Sequence, residues 1–363
     1  MIRIFVRRNP NLDYLTGDSA RELEDLREGP AWWVPDGRGS VDFRHLDARL
    51  RTSSRSRVVG YDLVIAAPRP ISILLALDET RAPDVVRAHR EAVSSTLSYL
   101  DERAAVIRTR RAGHEEEVAS SWDDAVSFTH GVNRHGEPHL HDHLILPAVA
   151  RAETSINDAR SLFAHALTAD AVYRASLRSL VQSYAGYRVW RSPSGREGVE
   201  GMDEGWLALW GGHWSERGSK VLWRRDEIRE RWRDQARSVE LFGEMRSPAL
   251  RDGVDPHPYR ASLYGDRWPT RRDIVRAVAD GVRDGIRGDD VAAVVDRSFP
   301  ELRHDRGLCE RPISLYEAWE RGPIQSRVLV RESGLSRDSS SRAEMRERGG
   351  VALERDELQR ESR

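Results

Sequence analysis

Lysine and cysteine are nearly missing from this chain. Of its 58 Lys+Arg residues only Lys220 is a lysine. Positive charge is therefore carried by guanidinium groups, which suit bidentate contacts to phosphate and carboxylate. GC-rich coding produces the same bias, and composition does not separate the two. The single cysteine, Cys309, excludes an intrachain disulfide and a multi-cysteine zinc site. Net charge is lacking as well, at a formal -1. No global field draws nucleic acid, so DNA contact would fall to local clusters such as "RLRTSSRSR", with Arg49, Arg51, Arg55 and Arg57. Apolar runs such as "ISILLAL" are far too short to span a bilayer. The start, "MIRIFVRRNP", has no apolar core of a secretory signal. These absences lead to the expectation of a soluble, cytoplasmic protein without membrane insertion. There is no GxxxxGK[ST] phosphate loop, hence no sign of a nucleotide-driven motor, and no internal repeat.

What remains is a chain of 363 residues, 39% hydrophobic and 32% charged, long enough for one large domain or two smaller ones. "MIRIFVR" alternates as a first strand. "GPAWWVPDGRGS" reads as a Gly- and Pro-punctuated loop carrying Trp32 and Trp33. "RVVGYDLVIAAP" predicts a buried strand, "RPISILLALDE" a helix, and Ala82 to Arg103 a second helix at period 3.6. "AAVIRTRRAG" and "DDAVSFTHGVN" are β-rich runs separated by acidic and Gly-containing turns. "ARSLFAHALTADAVYRASLRSLVQSYAG" is a long helix, "YRVWRSPSGREGVEGM" a hairpin, and residues 250–325 hold further helices. Trp206, Trp210 and Trp214 recur every four residues, the spacing of a helical core stripe. From about Arg331 the composition is Ser-, Arg- and Glu-rich, that of a weakly ordered tail. The layout is α+β with antiparallel pairs.

The chemistry concentrates in "SFTHGVNRHGEPHLHDHLILP". Alternation puts His139, His141 and His143 on one strand face. The tight "NRHGEP" connection predicts a hairpin, which sets His130 on the neighbouring strand, about 5 Å away. Imidazoles from two adjacent strands can then converge on one cation, leaving open positions for a substrate. Not all of the histidines can be ligands. His135 sits in the turn, and alternation alone does not choose between the pairs 139/141 and 141/143. The competing reading is a solvated sheet edge whose histidines do nothing.

"FTHGVNRHGEPHLHDHLIL" resembles the three-histidine motif of conjugative relaxases of the TrwC/TraI (MobF) type. There an "FTH"-like histidine is followed eleven and thirteen residues later by an HxH pair. The resemblance selects His130, His141 and His143 as metal ligands and leaves His139 a neighbour. "GYDLVIAAPRPISILLAL" is similar to a second family segment, matching at Gly60, Asp62, Leu63, Ala67, Pro68 and Ser72. It departs from that segment at Ala66, Arg69 and Pro70. "VYRASLRSLVQSYAGYRV" resembles a third.

The resemblance covers about residues 1–240. It implies an HUH relaxase-like fold, a central antiparallel β-sheet with helices packed on it, over 1–240. A helical C-terminal region over 241–330 and a tail over 331–363 complete the expected layout. The implied activity is metal-dependent nicking of single-stranded DNA at an origin of transfer through a covalent 5′-phosphotyrosine. A coupling protein or accessory DNA-binding proteins would be further partners. The divalent ion could be Mg, Mn or Zn. Tyr14, the one tyrosine among the first fifty residues, is the implied nucleophile, although the family's tyrosine doublet is absent. Asp62 is the implied carboxylate beside tyrosine and metal, there to accept the phenolic proton or to orient a ligand histidine, and Arg69 and Trp32 are candidate DNA contacts. The rival readings are a replication-initiator or transposase-type HUH nuclease, a degenerate domain that binds DNA without cutting, and a metal-dependent hydrolase using the histidines alone.

Overall fold

The computed structural model describes residues 2–12, 15, 32–33, 35, 43–52, 58–111, 113–133, 135–149, 157–192, 194–202, 204–210, 225–238, 269–308, 310 and 312. These fall within one compact unit, Met1–Gly322. Its centre is a five-stranded sheet in the order β1-β3-β7-β6-β2, antiparallel throughout. The strands are β1 (Ile2–Arg7), β2 (Trp32–Trp33), β3 (Gly60–Ala66), β6 (Val126–Val132) and β7 (Pro138–Pro147). Two hairpins stand apart from it: β4 (Val106–Arg111) with β5 (His114–Ala119), and β8 (Val189–Arg191) with β9 (Glu197–Val199).

The described helices are α1 (Phe43–Thr52), α2 (Arg69–Leu77), α3 (Ala82–Arg103), α4 (Ala159–Ala185), α5 (Glu204–Leu209), α6 (Arg225–Ser238), α7 (Arg271–Gly281) and α8 (Gly288–Ser298). Their ends follow local chemistry. The Asp158 carboxylate caps α4 by accepting from the Arg160 amide at 3.0 Å. Thr270 and Asp273 close a reciprocal capping box at the start of α7.

The two faces of the sheet are packed differently. Leu63 and Ile65 of β3 with Leu140, Leu144 and Leu146 of β7 join α3, α4, α7 and α8 in the main core. On the other face Val126, Phe128 and Ile145 pack with Leu12, Leu15, Leu46, Leu50 and Val59 in a smaller cluster. The period-2 alternation of β7 feeds both. Trp206 and Trp210 are buried with Ile73, Val132, Ile228 and Trp232 in a third cluster, as the stripe spacing suggested, while Trp214 lies outside the described residues.

Three expectations change. The tryptophan pair is not loop: Trp32 and Trp33 pair with Phe128 and Ser127 as the edge strand β2. Two residues are too few to show a periodicity. The acidic "turn" HEEEVA is the strand β5, and two of its three glutamates lie opposite arginines. Arg108 pairs in register with Glu117, and Arg110 with Glu115. Arg49 is not available to DNA: it is buried, 2.9 Å from Asp124 Oδ2, and donates to the Val149 carbonyl at 2.9 Å. Arg51 pairs with Asp47 at 2.7 Å, and Arg55 and Arg57 lie outside the described residues. So do Tyr14, Cys309 and the tail from Arg331. No described helix is long and apolar enough to cross a membrane.

Candidate metal centre

The β6–β7 hairpin sets the register of the histidines. Asn133 organises its turn: the Asn133 side-chain oxygen accepts from the amides of His135 at 2.9 Å and Glu137 at 3.0 Å. Gly136 takes φ 73°, a left-handed value that glycine adopts without strain. The result is His130 directly opposite His141, and Phe128 opposite His143. Cross-strand partners share a face, so three imidazoles stand on one side of the sheet.

Their rings form a nearly equilateral triangle. Centroid separations are 5.2 Å for His130–His141, 5.3 Å for His130–His143 and 5.4 Å for His141–His143. One nitrogen from each lies within 4.8 Å of the others. The chemistry of the donor set fits a cation. His141 Nδ1 is 2.8 Å from the His139 carbonyl oxygen, which only accepts, so Nδ1 carries the proton and Nε2 keeps its lone pair. His143 Nδ1 donates to Asp62, 2.9 Å from Oδ1 and 3.1 Å from Oδ2, which again leaves Nε2 as the ligand atom. Outer hydrogen bonds of this kind fix tautomer and ring orientation in metal sites. Burial, and then the neighbouring imidazoles of His139, His130 and His143, push His141 well below the usual histidine range. It is thus a neutral donor near pH 7, the form a metal needs.

His139 stacks 4.6 Å from His141 by ring centroids, but its contribution here is the carbonyl that orients His141. Burial lowers its pKa to about 4, with the amino terminus, His89, Arg3 and His143 adding to the effect. His135, in the turn, is half-buried.

Asp62 comes from β3, two strands from β6, and is buried. Arg7 lies 3.7 Å from its Oδ2 and also donates to the carbonyls of Asn9 at 3.3 Å and Asn11 at 2.6 Å. The segment after β1 is thereby tied to the centre. Leu12 and Leu15 are both buried in the apolar cluster of the histidine face. Arg69 opens α2 beside Glu137; burial lowers its pKa while the Glu137 charge opposes the shift. Its Nε and Nη2 are buried without a hydrogen-bond acceptor among the described residues. Trp32 pairs by its backbone with Phe128; its side chain lies outside the described atoms.

A buried network behind the histidines was not anticipated. Asp142, between the two candidate ligands of β7, points to the helix face and is fully buried. It accepts from Ser127 Oγ at 2.6 Å, His89 Nε2 at 2.9 Å and Trp33 Nε1 at 2.9 Å. The Tyr173 hydroxyl lies 2.7 Å from His89 Nδ1. Burial alone would raise Asp142; His89, the Ser127 hydroxyl and Arg90 outweigh it and hold the carboxyl at about 2. The signal was present: in an HxH pair on a strand, the middle residue faces the opposite side, and an acid in a helix-covered face requires donors.

The family model described as TrwC relaxase matches residues 8–248. The Escherichia coli (strain K12) multifunctional conjugation protein TraI is 28% identical over 104 residues, which is 29% of this chain and 6% of that protein's length. Among solved structures, conjugative relaxase TrwC in complex with mutant oriT DNA aligns with a TM-score of 0.50 and 19% identity, covering 66% of this chain and 99% of that one. The metal-bound structure of TrwC with oriT DNA gives a TM-score of 0.50 at 19% identity, covering 66% and 98%. At these identities the structural likeness concerns the fold.

Proposed function

The chain belongs to the TrwC relaxase family, and on that premise we propose that it nicks and transfers one DNA strand at an origin of transfer. Its substrate would be single-stranded DNA, and a coupling protein or accessory DNA-binding proteins would be its further partners in conjugative mobilisation. Residues 1–240 are the proposed relaxase segment. The observation that carries the reading is the histidine triangle, in which His141 and His143 each have Nδ1 spent on an acceptor and Nε2 left to bind.

His130, His141 and His143 would hold the divalent cation, with Mg, Mn and Zn as candidates; neutral imidazole donors favour the softer ions over Mg. Once bound, such an ion polarises phosphoryl oxygens and offsets charge that develops on them. Asp62 orients His143 by accepting a hydrogen bond from its Nδ1 and is itself flanked by Arg7. Tyr14 is the proposed nucleophile. Its sequence neighbours Leu12 and Leu15 are buried on the histidine face, and Arg7 ties the preceding carbonyls to Asp62. A free phenol, with pKa about 10, attacks poorly at neutral pH, so its proton must pass to a base as the oxygen bonds to phosphorus. The scissile P–O bond then breaks, leaving a 5′-phosphotyrosine, and the departing 3′ oxygen takes up a proton from the protonated base or from water to become a free hydroxyl. Arg69 and Trp32 are proposed DNA contacts.

The test is incubation of the purified protein with Mn²⁺ or Mg²⁺ and a panel of labelled origin-like single strands. The expected product is a covalent protein–DNA adduct, lost in Tyr14→Phe. An adduct in Tyr14→Phe would reassign the nucleophile, and a nicked product without an adduct would favour a histidine-centred hydrolase.

A further inference from the structure

The edge strand β1 has an exposed residue that its apolar character does not explain. Phe5 is 51% exposed, whereas Phe128 on the same face is fully buried. Register settles which way it points. Phe5 lies opposite Asp62, and Arg3 opposite Val64, which in turn lies opposite His143. Cross-strand partners share a face, so Arg3 and Phe5 stand on the histidine side of the sheet. They are two strands from β7, about 10 Å at the usual strand spacing.

Arg3 is exposed as well. Arg7, next in the same alternation, is buried against Asp62. The strand thus presents a solvent-facing cation and a solvent-facing aromatic ring side by side, next to the centre that would hold the scissile phosphate. Alternating cations and aromatic faces suit single-stranded nucleic acid, whose bases are free to stack and whose phosphates need countercharge. Duplex DNA offers no free base face to Phe5.

We propose that β1 is a binding step for the single strand beside the scissile phosphate, with Phe5 stacking on a base and Arg3 pairing with a phosphate. The inference rests on the reading of the chain as a single-strand nickase. Stacking of this kind tolerates any base, so the step grips the strand and does not read its sequence.

The test uses the full chain and a fluorescein-labelled pool of random-sequence single-stranded 30-mers, followed by anisotropy in EDTA across a salt series. Phe5→Ala is expected to weaken binding about 5- to 100-fold. Phe5→Leu should weaken it similarly, because it keeps apolar bulk without a ring face, and Phe5→Trp should restore it. Arg3→Ala should lower the slope of log affinity against log salt by about 0.7. Leu167→Ala, at a 63% exposed position on α4, should change nothing. Wild-type affinity in Phe5→Leu, an unchanged salt slope in Arg3→Ala, or an equal loss in Leu167→Ala overturns the inference. If that happens while the wild type still forms its covalent adduct, only the role of β1 falls. If the wild type binds no single strand and forms no adduct, the functional reading falls with it.

Discussion

The two faces of β7 are built from alternate residues of one ten-residue strand, yet they follow opposite rules. The helix face, with Leu140, Leu144 and Leu146, packs against α2 and belongs to the main core together with α3 and α4. Its one charge, Asp142, is satisfied by three donors. The other face carries His139, His141 and His143, and its apolar cluster begins only at Ile145. Two of its imidazoles, His141 and His143, have acceptors behind their Nδ1 atoms. Stability and chemistry are therefore separated by the pleat of a strand, and substitutions one residue apart should report on different properties.

The largest expected effect is on the closed face. Leu144→Ala removes a fully buried side chain from the core and should cost about 2–5 kcal/mol, measured by denaturant unfolding. Divalent-ion affinity of the folded fraction should be unchanged. A large loss of metal affinity at constant stability would break the separation of the faces.

Acid should loosen the helix layer next. His165 of α4 is fully buried between the Tyr99 hydroxyl at 2.8 Å and the Gly307 carbonyl at 3.0 Å. Burial lowers its pKa from 6.5 to about 4, with the Gly307 hydrogen bond opposing and the nearby arginines assisting. Between those values the unfolded chain binds the proton that the folded chain refuses. Stability is then full above about pH 6.5 and falls as pH drops toward 4. The shift corresponds to about 3 kcal/mol. Unfolding at pH 7 and pH 4.5 should show a smaller acid loss in His165→Gln than in the wild type. An equal loss in both would show that other groups carry the acid sensitivity.

The smallest effect belongs to the histidine face. Asp62→Asn keeps the shape but removes the charge that accepts from His143 Nδ1. It should lower divalent-ion affinity about 10–100-fold while changing stability much less than Leu144→Ala. Calorimetric titration of metal-stripped protein reads the difference. Affinity equal to the wild type would show that His143 is oriented by its surroundings without the carboxylate.

Much of this arrangement is legible in the sequence. The period-2 pattern of "HLHDHLIL", the turn chemistry of "NRHGEP" and the periodicity of α3 and α4 are local signals, and each predicted its element. The strand "HEEEVA" and the β2 edge were not legible. Their pairing depends on complementary charge and on partners about a hundred residues away, as with Trp32 and Phe128. The site shows the same division. His130, His141 and His143 share a hairpin, so spacing and family resemblance brought them together. The contact of Arg7 with Asp62 and the bond from His89 to Asp142 join residues more than fifty positions apart, and only the sheet order and helix packing create them.

The central claim is that His130, His141 and His143, and not His139, hold a divalent ion. Titration of metal-stripped protein with Mn²⁺, comparing wild type, His141→Ala and His139→Ala, tests it most directly. The account predicts one ion per chain in the wild type and in His139→Ala, and its loss in His141→Ala. Equal binding by His141→Ala and the wild type, or loss confined to His139→Ala, would contradict it.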